Sequence, residues 1–137
     1  MITKKAEYAI IALADLAMLQ PGQKTTTREI VERRKLPPNL VAQLLATIRR
    51  TGWIKSTRGA GGGVLLCTDP GQITLRDVIE LIDGPVKITR CLLQSMPCGN
   101  RSSCPLRDVW QKAQSEMLQV LENTTIQELA REMAASS

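Results

Sequence analysis

The sequence contains no histidine and no phenylalanine, and it has only one tyrosine and two tryptophans. Without histidine the chain lacks the most common general base, the Ser-His and Cys-His nucleophile pairs, and most zinc ligand sets. The shortage of aromatic side chains also removes the stacking platforms with which proteins bind RNA and single strands. We therefore expect a protein that is not an enzyme and that does not bind single-stranded nucleic acid.

The apolar residues are almost all Ala, Val, Ile, Leu and Met, which favours helices packed on helices. An apolar run that follows Lys4 and Lys5 superficially resembles a signal peptide. However, Glu7 and Asp15 interrupt the run, and it is too short to span a bilayer. We expect a mainly α, cytoplasmic protein with no membrane partner and with reduced cysteines.

Basic residues are concentrated in the first part of the chain. Residues 1–60 contain eleven Lys and Arg against four Asp and Glu, whereas residues 61–137 contain seven against nine. The first part is therefore suited to an anionic partner, which could be nucleic acid, an acidic membrane surface or an acidic protein. Charge alone does not choose among them.

Residues 1–67 have the pattern of three helices followed by a β-hairpin. The helices are predicted over residues 3–19, 28–34 and 38–51, and the strands over 53–58 and 64–67. Thr26 and Glu29 form a capping box before the second helix, and Pro38 is suited to the first turn of the third. A glycine-rich turn joins the strands. This order is typical of a winged helix-turn-helix, whose third helix would enter the major groove of duplex DNA.

The polar and basic positions on these elements are the candidate DNA-contacting residues. They are Thr26, Thr27, Arg28, Pro38, Asn39, Gln43, Arg49, Arg50, Arg58, Gly59 and Gly61. Taken singly, the charged residues among them are better explained as solvated surface residues. The combination of helix order, wing and uneven charge favours double-stranded DNA as the partner.

A long amphipathic helix is predicted from Pro105 onwards. Its apolar stripe consists of Leu106, Val109, Trp110, Ala113, Met117, Val120 and Leu121. A stripe of this length on a small chain is expected to pack on a second copy, although packing within its own domain would give the same pattern.

Three cysteines, Cys91, Cys98 and Cys104, lie in a stretch without regular periodicity, separated by six and then five residues. Zinc ligands usually come in pairs two to four residues apart, often with histidine, so structural zinc is the less favoured alternative. Iron-sulfur clusters are held by thiolates, and nearby arginines would balance their negative charge. A thiol switch needs only two of the three cysteines and stays open.

The fourth cysteine, Cys67, ends the second predicted strand and is expected to be a small core residue. A cluster would then need a ligand other than cysteine, and a carboxylate can serve. A small electron carrier is a further alternative, but its cysteines would usually form tight C-x-x-C runs on an acidic surface.

Several segments resemble the Rrf2 family of bacterial winged-helix transcription regulators, which includes IscR-like iron-sulfur regulators and NsrR-like nitric-oxide sensors. The similar segments are TKKAEYAIIALADLA, LPPNLVAQLLATIRRTG, STRGAGGGVLL, ITLRDVIELIDGP, the three-cysteine stretch and NTTIQELA. The resemblance implies a repressor that forms a homodimer joined through the long helix. It also implies an iron-sulfur cluster that senses redox state, nitric oxide or iron-sulfur supply.

By position, the resemblance implies that Cys91, Cys98 and Cys104 are cluster ligands. Glu7 stands where NsrR-like members have an acidic ligand that reaches across from the other subunit, although an acid in a first helical turn is also explained by the helix dipole. The first cysteine gap is six where better-known members have five, and Arg107 replaces the histidine ligand of IscR-like members. Whether the cluster is [2Fe-2S] or [4Fe-4S] stays open.

The resulting domain organisation has three parts. Residues 1–84 are expected to form the winged-helix domain, with residues 1–20 also contributing to the dimer and the cluster region. Residues 85–104, which we name the cysteine segment, are expected to bind the cluster. Residues 105–137 are expected to form the dimerisation helix and the C-terminal helix.

Overall fold

A computed structural model describes residues 2–88, 92 and 105–136 of the chain, which form six helices and one antiparallel pair of strands. The helices are α1 (Lys4–Ala17), α2 (Thr27–Arg34), α3 (Pro38–Arg49), α4 (Leu75–Asp83), α5 (Pro105–Asn123) and α6 (Ile126–Ser136). The strands are β1 (Ile54–Thr57) and β2 (Gly63–Leu66), and a 3₁₀ turn over Pro70–Gln72 precedes α4. The predicted winged helix-turn-helix is confirmed.

Side-chain caps set the starts of several helices, and the cap before α2 was predicted from the sequence. The Thr26 hydroxyl accepts from the Glu29 N–H, and the Glu29 carboxylate accepts from the Thr26 N–H in return. Thr74 and Asp77 form the same reciprocal pair before α4. Because each box satisfies two otherwise unpaired helix donors, the helix boundaries follow from local sequence.

Helix α1 lies at the centre of the core and contacts α2, α3, α4, α6 and β2. Its alanines Ala6, Ala9 and Ala12 are fully buried, and their small side chains let the neighbouring helices approach closely. Leu13 of α1 and Ile126 of α6 are also fully buried in this cluster. The C-terminal helix and the helix-turn-helix therefore share one hydrophobic core, built on α1.

The hairpin is anchored to the loop before α2. Thr25 and Val64 exchange two backbone hydrogen bonds, of 3.0 Å and 2.6 Å between N and O. A Cβ on Gly63 would lie 2.6 Å from the Thr25 carbonyl oxygen, so only glycine permits this close crossing. The wing therefore continues onto the chain segment that leads into α2.

Cys67 is exposed, and the prediction that it is a small core residue in a strand is wrong. Strand β2 ends at Leu66, and the Cys67 N–H donates to the Trp53 carbonyl at 2.7 Å. Side chains alternate along a strand, so Cys67 lies on the same side as Leu65 and opposite the buried Val64.

None of the helices within the described residues is long and apolar enough to cross a membrane.

Candidate functional site

One face of α3 is packed into the core and the opposite face is open to solvent. Its buried residues are Val41, Leu44, Leu45 and Ile48, which recur at the helical period. On the other side Asn39, Gln43, Arg49 and Arg50 are exposed, and we name these four residues the polar face of α3. Two amides and two guanidinium groups on one helix surface can donate to and accept from base edges and phosphates.

The start of α2 and the wing line one open depression, whose walls include Thr26, Thr27, Ser56 and Thr57. The first N–H groups of α2 and several hydroxyls therefore lie beside the glycine turn of the wing. In this turn Gly59 and Gly61 have φ of 87° and 76°, a backbone conformation that favours glycine. The structure thus brings the predicted residues at the α2 start and at the wing together.

Arg28 and Arg58 differ in how available their charges are. Arg28 pairs with Glu32 along the exposed side of α2, with Nε 3.2 Å from Oε1. Arg58 follows β1 and is exposed in the turn of the wing. The wing arginine is therefore the better placed of the two to meet an external anion.

Two further lysines belong to this surface, and the sequence reasoning missed them as site residues. Lys24 reaches the wing, where its Nζ lies 3.5 Å from the Gly61 carbonyl oxygen. Lys55 is exposed on β1. Lys55 could have been found from its outward position in a predicted strand, but the contact of Lys24 depends on the bridge between Thr25 and Val64, for which spacing gives no signal.

Two arginines that contributed to the basic excess are engaged inside the protein. Asp15 of α1 is 1% exposed and accepts from Arg33 and Arg34 at the end of α2. Hydrogen bonding to Asp15 is the main cause that raises the pKa of Arg33. These arginines hold α2 on α1, so the positive charge available to a ligand is smaller than the count suggests.

The three cysteines Cys91, Cys98 and Cys104 lie outside the described residues, and of the cysteine segment the structure describes residues 85–88 and 92. Just before the segment, at the end of α4, the Asp83 carboxylate accepts from the N–H and the hydroxyl of Thr3, at 2.9 Å and 2.5 Å. Farther along, the Ile88 N–H donates to the Gln114 side-chain oxygen at 3.1 Å. The end of α4, which leads into the segment, is thus attached to the start of α1, and the first part of the segment is attached to the middle of α5.

Gln114 is a third residue that the sequence reasoning missed. It is the buried residue of α5, all of whose residues the structure describes. At about 100° per residue it lies between Leu118 and Leu121 on the side of α5 that packs on the core. A polar residue within an apolar stripe is the signal that could have identified it.

Glu7 lies in the first turn of α1 with its side chain 49% exposed. Its carboxylate lies 3.0 Å from Lys4 Nζ, and this hydrogen bond raises the pKa of Lys4. Within the described ranges no three His, Cys, Asp or Glu residues are grouped to hold a metal ion. A metal centre would therefore draw on the cysteine segment, and the accessible Glu7 carboxylate is chemically suited to add an oxygen ligand to thiolates.

Helix α5 presents a row of uncovered apolar side chains. Leu106, Val109 and Val120 are 53%, 58% and 65% exposed. With Ala113, which is also exposed, they fall within a sector of about 60° when consecutive residues are about 100° apart. We name these four residues the α5 stripe. Met117 and Leu121, which the sequence placed in the same stripe, pack partly on the protein's own core.

Comparison with known proteins gives a consistent result. The sequence profile of the Rrf2 family, described as an iron-dependent transcriptional regulator, matches residues 2–132. The helix-turn-helix-type transcriptional regulator IscR of Cronobacter sakazakii is 32% identical over 128 residues, which make up 93% of this chain and 78% of that protein.

Two solved structures share the architecture. CymR of B. subtilis, titled the global cysteine regulator, superposes with a TM-score of 0.81 at 28% identity, covering 96% of this chain and 97% of that one. IscR of T. potens gives a TM-score of 0.77 at 26% identity, covering 97% and 88%.

These matches are to regulators of transcription, which act by binding, and this agrees with the expectation that the protein is not an enzyme. The profile match also extends beyond the winged helix, through α5 and most of α6. A winged helix-turn-helix, with a match over nearly the whole chain, establishes that the protein is a transcriptional regulator of the Rrf2 family.

Proposed function

We propose that the protein is a cytoplasmic, homodimeric repressor that binds double-stranded operator DNA and whose affinity for DNA depends on an iron-sulfur cluster. In this proposal residues 1–84 bind DNA, the cysteine segment holds the cluster and residues 105–137 contribute the dimer helix. The observation that carries the DNA-binding part is the exposed polar face of α3 beside a basic wing. The cysteine content, together with the iron-dependent description of the family, supports the cluster.

The residues around the polar face divide naturally between reading bases and binding phosphates. Asn39 and Gln43 carry amides that can pair with adenine in the major groove, and Arg49 and Arg50 can bind guanine or phosphate. Thr26, Thr27, Arg28 and Pro38, near the starts of α2 and α3, are proposed to face the DNA backbone. Arg58, with Gly59 and Gly61 at the wing, is proposed to approach a minor groove, where Lys24 would add charge.

Substitution of Gln43 and Arg49 tests this division. Gln43→Ala is expected to weaken binding to the preferred duplex by about 1 to 3 kcal/mol and to relax selection at one base position, because a base contact is lost. Arg49→Ala is expected to weaken binding to all sequences and to reduce the slope of log K against log salt by about 1. Fluorescence anisotropy titrations at several salt concentrations measure both effects.

Lys112→Ala is the control for this experiment, because it removes an exposed positive charge from α5 and not from the winged helix. It is expected to leave the affinity for duplex DNA and the dependence of that affinity on salt unchanged. Equal losses in Arg49→Ala and Lys112→Ala would mean that only net charge matters, and the proposed face would be wrong.

For the cluster, we propose that Cys91, Cys98 and Cys104 are ligands and that Glu7 of one subunit adds a carboxylate to the cysteines of the other. When bound, an iron-sulfur cluster would make the segment respond to redox state, nitric oxide or iron-sulfur supply. The chain's own contribution is to connect the cysteine region to α1. Thr3 and Asp83 join the end of α4, which leads into the cysteine segment, to the same end of α1 that carries Glu7.

This attachment would give the dimer two arrangements, which differ in the spacing of the two α3 helices. With Glu7 and the cysteines held together across the subunits, the spacing of the two α3 helices is fixed, and release of Glu7 frees that spacing. Couplings of about 1 to 3 kcal/mol between two sites change affinity about 5- to 150-fold, which is sufficient for a genetic switch.

Glu7→Ala tests the fourth ligand. We expect the variant to assemble a cluster with altered visible absorption and circular dichroism, and to release iron faster in air, because one ligand position is left to solvent. Lys4→Ala is the matched control, since it removes the partner of Glu7 but leaves the carboxylate in place. Unchanged spectra and iron release in Glu7→Ala would remove Glu7 from the set of ligands.

A second candidate function is a cluster-free thiol switch that binds DNA in the same way. It is favoured by the structural similarity to CymR, of which the Staphylococcus aureus protein has also been solved in an oxidized form. Anaerobic purification followed by iron, sulfide and zinc analysis separates the candidates. Coloured protein with iron and sulfide, whose DNA affinity changes with nitric oxide, supports the first, and colourless protein that responds only to thiol oxidation supports the second. Stoichiometric zinc would indicate a structural zinc site.

A further inference from the structure

Asp15 is the one buried carboxylate among the described residues. Its Oδ2 lies 2.6 Å from Arg33 Nη2, and its Oδ1 lies 3.2 Å from Arg33 Nε and 2.6 Å from Arg34 Nε. A buried charge must be paired, and two guanidinium groups pair this one. Helix α1 therefore holds the last turn of α2 at a defined distance and angle, because the Arg33 fork is planar and bidentate.

The same arginine extends the contact to the wing. Arg33 Nη2 also donates to the hydroxyl of Thr25 at 2.8 Å, and Thr25 is only 3% exposed. The backbone of Thr25 pairs with Val64 of β2 in both directions. An uninterrupted series of contacts therefore runs from Asp15 in α1 through Arg33 in α2 to Thr25 and the wing.

Stability alone is a weak reason for this arrangement. Buried ion pairs are often replaced by apolar side chains without loss of stability, and the two backbone bonds between Thr25 and Val64 need no hydroxyl. The distinctive contribution of the contacts among Asp15, Arg33 and Thr25 is to set the orientation of the elements that they join. These contacts attach the segment before α2, which pairs with the wing, to α1, the same helix that holds α2.

We propose that Asp15 and Thr25 are positioning residues that fix the wing relative to α2 and α3, and that they thereby determine how strongly the protein prefers its operator over other DNA. This inference rests on the proposed DNA-binding function. Contacts to one preferred sequence need the wing and α3 at a fixed spacing. Phosphates repeat along any duplex, so binding to random DNA tolerates a displaced wing.

Thr25→Val is the variant that tests the proposal. Valine keeps the branched shape and the backbone bridge but removes the acceptor for Arg33. The first probe is a duplex selected from a random library by the wild-type protein, and the second is a duplex of the same length without that sequence. We expect affinity for the selected duplex to fall about tenfold, as for the loss of one charge-assisted hydrogen bond, and affinity for the second duplex to stay the same.

Hydrogen exchange gives a readout that does not require DNA. The Val64 N–H donates to the Thr25 carbonyl, and its exchange is expected to become about tenfold faster in Thr25→Val because the loop is held less firmly. Thr124→Val is the matched control. It removes a hydroxyl that donates to the Val120 carbonyl at 2.9 Å, on the C-terminal side of the molecule. The control is expected to change neither the ratio of the two DNA affinities nor the exchange at Val64.

Arg33→Lys gives a second test, because lysine keeps the charge beside Asp15 but lacks the fork that reaches both Asp15 and Thr25. In the double variant Arg33→Lys/Thr25→Val, the ratio of the two DNA affinities is expected to change no more than in the single variants. Both substitutions act through the same series of contacts. An unchanged ratio and unchanged exchange in folded Thr25→Val would overturn this inference alone. If the wild-type protein selects no duplex, the proposed function fails and the inference about preference is overturned with it.

Discussion

Anaerobically purified Cys98→Ser protein is expected to lose its iron-sulfur absorption almost completely, whereas Cys67→Ser protein is expected to keep it. Thiolates are the ligands that hold iron-sulfur clusters, and a serine hydroxyl stays protonated near neutral pH and is a harder donor. Changes to groups that only support a ligand already lower metal affinity about 10- to 100-fold, so loss of a ligand should have at least this effect. Visible absorption, with iron and sulfide measured per chain, gives the result.

Cys67 is the matched control because it carries the same thiol but lies at the base of the wing. Its side chain is exposed after the end of β2, and its Sγ lies 3.9 Å from the Leu65 carbonyl oxygen. Cys91→Ser and Cys104→Ser are expected to behave like Cys98→Ser. A full complement of iron and sulfide in Cys98→Ser would contradict the proposed ligand set, and a loss in Cys67→Ser would place the fourth cysteine in the centre.

Much of the fold could be predicted because its signals are local. The capping box at Thr26, which was predicted from the sequence, uses residues three positions apart, as does the box at Thr74. The buried stripe of α3 follows from helical periodicity. Such signals fix where an element begins and which of its faces is buried.

The interactions that join distant elements could not be predicted in the same way. The bridge between Thr25 and Val64 and the pairing of Asp15 with Arg33 join residues far apart in the chain, and no spacing rule announces them. Asp15 in an apolar helix was visible as an interruption, but its partners were not. Cys67 differs, because strand parity alone would have placed its side chain opposite that of Val64.

The exposure of the polar α3 residues was predicted more accurately than the positive charge that is available around them. The exposed side of α3 carries the polar residues that helical geometry placed there. The charge count included Arg33 and Arg34, which pair with Asp15, and Arg28, which pairs with Glu32. Lys24 at the wing compensates in part. A count of basic residues thus indicates an anionic partner without identifying which residues meet it.

The α5 stripe is the proposed contact between the two subunits of the dimer. Fully burying one large aliphatic side chain contributes about 1.5 to 3 kcal/mol, and a two-fold interface buries each residue of the stripe once from each subunit. Three largely exposed apolar residues on one side of α5 would therefore contribute favourably to the proposed dimer if a second copy buried them. The core already covers the adjacent side, including Leu118 and Leu121, so the stripe is what remains for a partner.

Val109→Asp is expected to convert the proposed dimer into a monomer at micromolar concentration, because two carboxylates would have to enter one apolar contact without a partner. Sedimentation equilibrium measures the mass directly. Operator affinity is expected to fall by about 100-fold or more, since each subunit would contact only one half-site and the linked second contact is lost. Gln119→Asp is the control, as it places the same carboxylate on an exposed position of α5 outside the stripe. A dimeric Val109→Asp protein, or a monomeric wild-type protein that still binds its operator tightly, would contradict pairing through α5.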